Sequence, residues 1–327
     1  MTKFRSILLS TGLTLVSVIV CIAAAEGMLR VKNSSMNNYD IEMWRYANEL
    51  KVKVDDPALA FDHVRNKGAV LQGINIHLND NGLRGPDLQN RANVERRVLL
   101  LGGSITLGWG VPEDETVRSR LQAMLAQDGH KAEVLNGGIG NYNAERYVSR
   151  FFKELTSLQP TDIIVQYFLR DAEDLKPGES NFFLRNSELA VTLWIASHRL
   201  FDRLGETSLV DHYRTAYQPD APGYLKMKGE LKRLAEYAKA NRIRIYLAMV
   251  PDFHNLVDYK FGFVHKLMEE NAKEFGYRFV DLLPAVQGRR PEEMWAMPGD
   301  PHPNGLGHKI MAETIFPVLQ AGEKITQ

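Results

Sequence analysis

A serine in a glycine turn, and an imidazole with a carboxylate two residues before it, are the parts of an activated nucleophile. This chain carries both. The run Arg96-Arg97-Val98-Leu99-Leu100-Leu101-Gly102-Gly103-Ser104 is an apolar strand that stops in a Gly-Gly turn and presents a serine. Far downstream stands Asp300-Pro301-His302-Pro303-Asn304. A serine hydroxyl at its free pKa is a poor nucleophile and needs an adjacent base. Histidine titrates near neutrality and can take that proton. A carboxylate on the other ring nitrogen fixes the tautomer and stabilises the imidazolium. Ser104, His302 and Asp300 therefore read as nucleophile, base and orienting acid, provided the fold joins the two segments.

Other chemistries fit less well. Thr106 stands where the nucleophile elbow of α/β-hydrolases needs glycine. No Gly-Lys-Ser/Thr follows Gly102-Gly103, so the turn is not a phosphate loop. His198, His212 and His265 are isolated, no metal-ligand spacing occurs, and no cofactor is expected. Asp252 and His254, just after Pro251, are candidates for the substrate pocket, and so are Trp109 and Asp171. For Trp109 core packing competes, and for Asp252 and His254 a surface loop does.

These residues need a scaffold. From Arg96 onward strand and helix patterns alternate: strands at 98–101, 133–136, 162–168, 243–250 and 278–283, and helices at 116–127, from Asn143 to before Pro160, and at 224–240, 259–275 and 305–319. Such alternation predicts a parallel sheet covered by helices on both faces. Ligands in such sheets sit outside the carboxyl ends of the strands. The serine turn, the Asn/Gly turn after Leu135, the Arg-Asp turn after Phe168 and the loop of Asp300 and His302 all fall at that edge. Residues 175–222 break the alternation and carry Phe182, Phe183, Trp194, Tyr213 and Tyr217; a lid or substrate-binding insertion and a structural embellishment fit them equally. Helical spacing from Tyr39 to Val52, a strand at 74–78 and a turn at 82–85 mark residues 33–95 as an elaboration packed on the main domain.

The N-terminus is of another kind. Lys3 and Arg5 precede an uncharged stretch from Ser6 to Ala25 rich in Leu, Val and Ile. Its length suffices for a helix across a hydrocarbon core of roughly 30 Å. An uncleaved anchor is the favoured reading over a signal peptide cleaved near Ala23-Ala24-Ala25. Arg30 and Lys32 follow it, so charge sets its orientation only weakly. Lys plus Arg number 40 and Asp plus Glu 40, which gives no net field toward nucleic acid. The sole cysteine, Cys21, lies inside the apolar stretch, so no intrachain disulfide forms. The domains read as 1–32, a membrane segment; 33–95, the elaboration; and 96–327, the main domain with its insertion.

From about residue 95 to 320 the chain resembles the SGNH/GDSL hydrolase superfamily. Gly102-Gly103-Ser104 is similar to that family's Gly-Asp-Ser block, with Gly103 in place of Asp. Asn136-Gly137-Gly138-Ile139-Gly140-Asn141-Tyr142-Asn143 resembles the block whose glycine N–H joins the oxyanion hole, and Gly140 matches best. Asp300-Pro301-His302 resembles the block of the acid and base, with a gap of two where three is frequent, as in some relatives that acylate polysaccharide. The family places Asn before Asp in a third block; here Arg170 precedes Asp171. Arg170 donates to the oxyanion itself, or it pairs with Asp171 or Asp174 and leaves Asn141 or Asn143 to donate, or the hole is impaired. The resemblance implies an α/β fold, a three-layer sandwich on a parallel flavodoxin-like sheet, behind an N-terminal transmembrane helix.

The expected activity is that of a serine esterase on O-acyl groups, acetyl above all, of a cell-envelope or exported carbohydrate or of a small ester. The oxyanion donors would be the N–H groups of Ser104 and Gly140, with Arg170. Polysaccharide O-acyltransferase and catalytically impaired glycan-binding component are the alternatives. The expected place is the bacterial inner membrane, with the catalytic domain in the periplasm.

Overall fold

A computed structural model describes residues 2–175, 182–204 and 208–324. The chain begins with helices α1 (Thr2–Asn33) and α2 (Tyr39–Glu49), then short strands β1 (Lys51–Lys53), β2 (Phe61–His63), β3 (Lys67–Leu71) and β4 (Ile74–Leu78). β5 (Arg96–Gly102), α3 (Ser104–Leu107), α4 (Val117–Gln127), β6 (Ala132–Asn136), α5 (Ala144–Arg150) and β7 (Asp162–Tyr167) follow. Helices α6 (Phe182–Asn186), α7 (Glu188–Leu204), α8 (Leu209–Ala216) and α9 (Pro222–Ala240) precede β8 (Arg244–Met249), α10 (Gly262–Phe275) and β9 (Arg278–Asp281). The chain closes with α11 (Leu283–Val286), β10 (Trp295–Met297), β11 (Asp300–Pro303) and α12 (Gly305–Lys324).

The described residues divide into two units. One takes residues 2–48 and 182–204, and the other 49–175 and 208–324. Of the insertion expected at 175–222, residues 176–181 and 205–207 lie outside the described residues.

In the larger unit five strands form one parallel sheet in the order β6-β5-β7-β8-β9. All seven residues of β5 are buried. Side chains alternate across a strand: Val98 and Leu100 join one apolar cluster and Leu99 and Leu101 the other. The first cluster includes Leu121 and Leu125 of α4 and Met311 and Ile315 of α12; the second includes Tyr147 of α5, Leu231 of α9 and Met268 of α10. A sheet buried on both faces by helices is the three-layer sandwich, and this is why its strands read as continuous apolar runs. The chain passes from β5 to β6 on one side, then crosses to β7 on the other. β5 thus sits at the point where strand order reverses, and a crevice opens there above the carboxyl ends.

The helix expected from Tyr39 to Val52 ends at Glu49, because Lys51, Val52 and Lys53 pair antiparallel with His63, Asp62 and Phe61. The segment of Asp300 and His302, expected as a loop, is strand β11 paired with β10. At the amino edge of the sheet the buried Asp162 carboxylate accepts from Arg96 Nε at 3.0 Å and from Arg244 Nε at 2.8 Å.

Candidate active site

Ser104 opens α3 directly beyond β5. Gly102 and Gly138 make that turn possible. A Cβ on Gly102 would stand 2.1 Å from Thr106 Oγ1 and 2.9 Å from the Gln166 carbonyl. One on Gly138 would stand 2.3 Å from the Leu107 nitrogen. Only glycine lets the β5 turn and the loop after β6 approach α3 this closely. The buried Arg84 clamps the far end of the turn. Its guanidinium donates to the carbonyls of Leu107, Gly108 and Val111 at 2.9, 2.6 and 2.6 Å and pairs with Glu113 at 2.9 Å.

His302 arrives on β11. That strand is fixed by its pairing with β10 and by Asn304, whose side chain accepts from the N–H groups of Leu306 and Gly307 at the start of α12. Ser104 Oγ lies 2.8 Å from His302 Nε2. His302 Nδ1 lies 2.6 Å from Asp300 Oδ1, and the same carboxylate oxygen accepts from the His302 backbone N–H at 3.1 Å. The two-residue spacing of Asp and His is what allows this closed turn. Asp300 is fully buried, and its second oxygen accepts from Gln72 Nε2 at 2.9 Å. Burial raises the Asp300 carboxyl, but the His302 ring and the Gln72 amide outweigh it, and the pKa lies below the usual carboxylate value.

The loop after β6 forms the opposing wall. Ile139 N–H donates to the Gly102 carbonyl at 3.2 Å, and the Tyr142 carbonyl lies 3.1 Å from where a Cβ on Gly103 would be. The carbonyl of Gly140 accepts from Lys51 Nζ at 2.7 Å, and that of Asn141 from Arg146 Nη1 at 3.2 Å. Asn141 has φ 64°, in the left-handed region. Its own N–H makes no hydrogen bond among the described residues.

The remaining expected residues have these places. Arg170 pairs with Glu173, Nε to Oε2 at 3.1 Å, with its side chain 49 % exposed. Asn143 caps α5 by accepting from Arg146 N–H at 3.1 Å, and its amide donates to the Glu173 carbonyl at 2.8 Å, so both ends of the side chain serve the fold. Asp171 is buried and accepts from Phe168 N–H at 3.1 Å and Tyr147 Oη at 3.2 Å; burial pushes it up to about 8 against those bonds. Trp109 is 1 % exposed. The pocket roles expected of Asp171 and Trp109 therefore find no open surface. Asp252 is buried and holds His254 Nδ1 at 2.9 Å, while the His254 side chain is 57 % exposed. That bond, against partial burial and with help from the charge of Asp300, raises the His254 pKa. Trp295 Nε1 of β10 donates to the Phe253 carbonyl at 2.7 Å, which ties this loop to the hairpin of Asp300 and His302. No cluster of metal-ligating side chains occurs among the described residues.

Sequence reasoning missed Gln72, Lys51, Arg84 and Arg146. Gln72 and Gly73, with φ 51° and 71°, make the two-residue turn between β3 and β4, but nothing in that dipeptide announces the reach to Asp300.

Residues 100–310 match the model of the GDSL-like Lipase/Acylhydrolase family. The chain belongs to that family. It is an ester-bond hydrolase of the GDSL type, on the α/β fold expected. No curated protein matches the sequence. Among solved structures, a catalytic mutant of Axe2, an acetylxylan esterase from Geobacillus stearothermophilus, is 13 % identical, with 69 % of this chain and 94 % of that one covered and a TM-score of 0.46. The psychrotrophic esterase EstA from Pseudoalteromonas sp. is 13 % identical over 69 % of this chain and 98 % of its own, with a TM-score of 0.43. A two-domain esterase, CEX, active on acetylated mannans, is 17 % identical; 71 % of this GDSL chain covers 51 % of that one, with a TM-score of 0.46.

Proposed function

We propose that this GDSL hydrolase is a membrane-anchored serine esterase that removes O-acyl groups, acetyl above all, from a cell-envelope or exported carbohydrate on the periplasmic side of a bacterial inner membrane. The observation that carries the catalytic part is the unbroken chain from Ser104 Oγ through the His302 ring to Asp300. Ser104 Oγ attacks the ester carbonyl while His302 Nε2 takes its proton. The collapsing tetrahedral intermediate expels the sugar oxygen, which receives that proton from His302. Water, deprotonated by His302, then attacks the acyl-serine, and the second tetrahedral intermediate expels Ser104 Oγ, which takes that proton back from His302 as the acid leaves. Asp300 stays ionised and holds the tautomer with Nδ1–H.

The oxyanion donors in this reading are the backbone N–H groups of Ser104 and Asn141. Ser104 begins α3, so its N–H has no partner within the helix. A trans peptide points its carbonyl and the next N–H in opposite directions. With the Gly140 carbonyl drawn out to Lys51, the Asn141 N–H faces the other way. Gly140, the donor expected from the sequence, thereby acts through the orientation of its carbonyl. Arg170 stays with Glu173 and makes no contact with the acyl group.

The anchor reading rests on α1. Its stretch Phe4–Asn33 has a mean hydropathy of 2.4 over its most apolar window, and that window is not buried at all. The carbohydrate class rests on the family resemblance. A fluorophosphonate probe tests the chemistry. Labelling should occur on the native protein and vanish in Ser104→Ala and His302→Ala, with circular dichroism unchanged. A folded native protein that takes no label would overturn the nucleophile assignment.

A further inference from the structure

The helical segment 182–204 holds its backbone down while it turns apolar side chains outward. In α6 the carbonyls of Leu184, Arg185 and Asn186 accept from Trp44 Nε1 at 2.6 Å, Asn48 Nδ2 at 3.1 Å and Arg30 Nη2 at 3.0 Å. The start of α7 is fastened to Glu26 of α1. That carboxylate accepts from Ser187 Oγ at 2.9 Å and from the N–H groups of Glu188 and Leu189 at 3.1 and 2.9 Å. Asn33 Nδ2 closes the joint on Glu188 at 2.7 Å. Against this fixed frame Phe182 and Phe183 are 73 % and 70 % exposed, their rings edge to face with centroids 5.8 Å apart. Leu193 and Trp194 on α7 are 62 % and 46 % exposed.

Single exposed apolar residues are ordinary, but four large ones on one pinned helical segment need a cover. The joint with α1 says which. Glu26 is the first acidic residue after the apolar run of α1, so it marks where that run ends. α6 and α7 are bonded there, at the stretch of α1 where Ile22, Met28 and Val31 are exposed too. Arg30 and Lys32 in the last turn of α1, and Arg185 beside the Asn186 carbonyl that Arg30 bonds, supply cations near this joint. Aromatic rings and cations at the end of an apolar span are the composition of the membrane–water interface. A bilayer therefore fits the face better than a protein groove does.

We propose that α6 and the first half of α7 form a membrane-surface element, with Phe182, Phe183, Leu193 and Trp194 entering the headgroup–acyl boundary of the bilayer that α1 crosses. The proposal rests on the anchor reading above. It gives the segment a role other than a lid: it seats the end of the anchor in the lipid surface.

The single native cysteine allows a clean test. The full chain is reconstituted in vesicles of phosphatidylethanolamine and phosphatidylglycerol, and nitroxide labels are compared for collision with oxygen and with a water-soluble nickel chelate. Native Cys21 reports the anchor. Phe183→Cys and Leu193→Cys, each in a Cys21→Ser background, report the face, and Gln218→Cys reports water. The labels at 183 and 193 should favour oxygen over nickel, as the label at 21 does, while the label at 218 favours nickel. Oxygen preference at 21 with nickel preference at 183 and 193 overturns the membrane-surface element and leaves the anchor standing. Nickel preference at 21 overturns the anchor and this inference with it. Labels at 183 and 193 shielded from both probes put a second protein copy on the face and overturn the bilayer as its occupant.

Discussion

Lys51 donates a hydrogen bond to the Gly140 carbonyl at 2.7 Å and lies 4.1 Å over the centroid of the Phe61 ring. Through that one bond a residue of β1 sets the direction of a peptide in the loop after β6. Burial, with Arg146 nearby, holds the Lys51 ammonium well below its usual pKa. The role we assign to Lys51 is to aim the Asn141 N–H through its bond to the Gly140 carbonyl. Loss of one oxyanion donor typically costs on the order of a hundredfold in rate. Lys51→Met should lower kcat on an aryl ester by about that much with little change in KM, because the donor acts mainly in the transition state. Lys51→Arg should recover part of the loss, and the exposed neighbour Lys53→Met should change nothing. Equal effects on kcat and KM, or no rescue by arginine, would mean that Lys51 only packs.

Gln72 bonds the oxygen of Asp300 that His302 leaves unused. A hydrogen bond to a charged group contributes about 1.5–3 kcal/mol, so Gln72→Ala should slow turnover roughly tenfold to a hundredfold. The pH profile separates this from simple loosening. Gln72 is one of the groups that keep the Asp300 pKa low. Its removal raises that pKa, so Asp300 protonates at a higher pH and the acid limb of kcat moves upward. Gln72→Glu, which sets a second carboxylate beside the first, should move the limb further in the same direction. An unmoved acid limb in both variants would exclude Gln72 as the support of Asp300.

The contrast between Ser104 and Gln72 explains what was legible in the sequence. Ser104, Asp300 and His302 were legible because two short motifs occur together, and the apolar run of β5 marked the strand that ends at Ser104, whereas the β11 strand of Asp300 and His302 has no apolar run and read as a loop. The Ile74–Leu78 strand matches the expected bounds because its apolar residues alternate with polar ones. Lys51, Gln72 and Arg84 act through single long side chains that cross from one element to another. Local pattern carries no trace of such a reach; even the element of Lys51 was misread, since its strand exists only because β2 pairs with it. Arg170 is a different case: its place in the third block drew attention, and in the structure its side chain pairs with Glu173, three residues on, where the sequence offered Asp171 or Asp174.

That pairing makes Arg170 a discriminating position. An exposed ion pair contributes about 0–1 kcal/mol. Arg170→Ala should therefore leave kcat/KM within about fivefold of the native value, the factor that the upper limit of that contribution corresponds to. If the guanidinium swung onto the oxyanion during the reaction, the same substitution would cost on the order of a hundredfold or more. Arg170→Asn should behave like the alanine variant. Steady-state rates on an aryl acetate decide the matter.

His308 gives the fold a pH dependence of its own. It lies on α12, fully buried, and its Nδ1 accepts from the Val117 N–H at the start of α4 at 3.2 Å. Burial first, then the charges of Arg84, Arg120 and His302, bring its pKa down from 6.5 to about 3. The folded protein thus keeps this ring neutral where the unfolded chain protonates it. Between pH 6.5 and about 3 the unfolded state binds the extra proton, so stability rises with pH through that window and is complete above it. The slope from one such group is at most about 1.4 kcal/mol per pH unit. His308→Asn keeps an acceptor near Val117 N–H but cannot titrate. It should be less stable than the native protein at pH 7, because a buried ring becomes a smaller side chain. The difference should shrink as the pH falls toward 5, since only the native protein loses this contribution. Urea midpoints at pH 7, 6 and 5 measure it; a gap between the two proteins that stays constant would show that His308 does not hold its proton-free state in the fold.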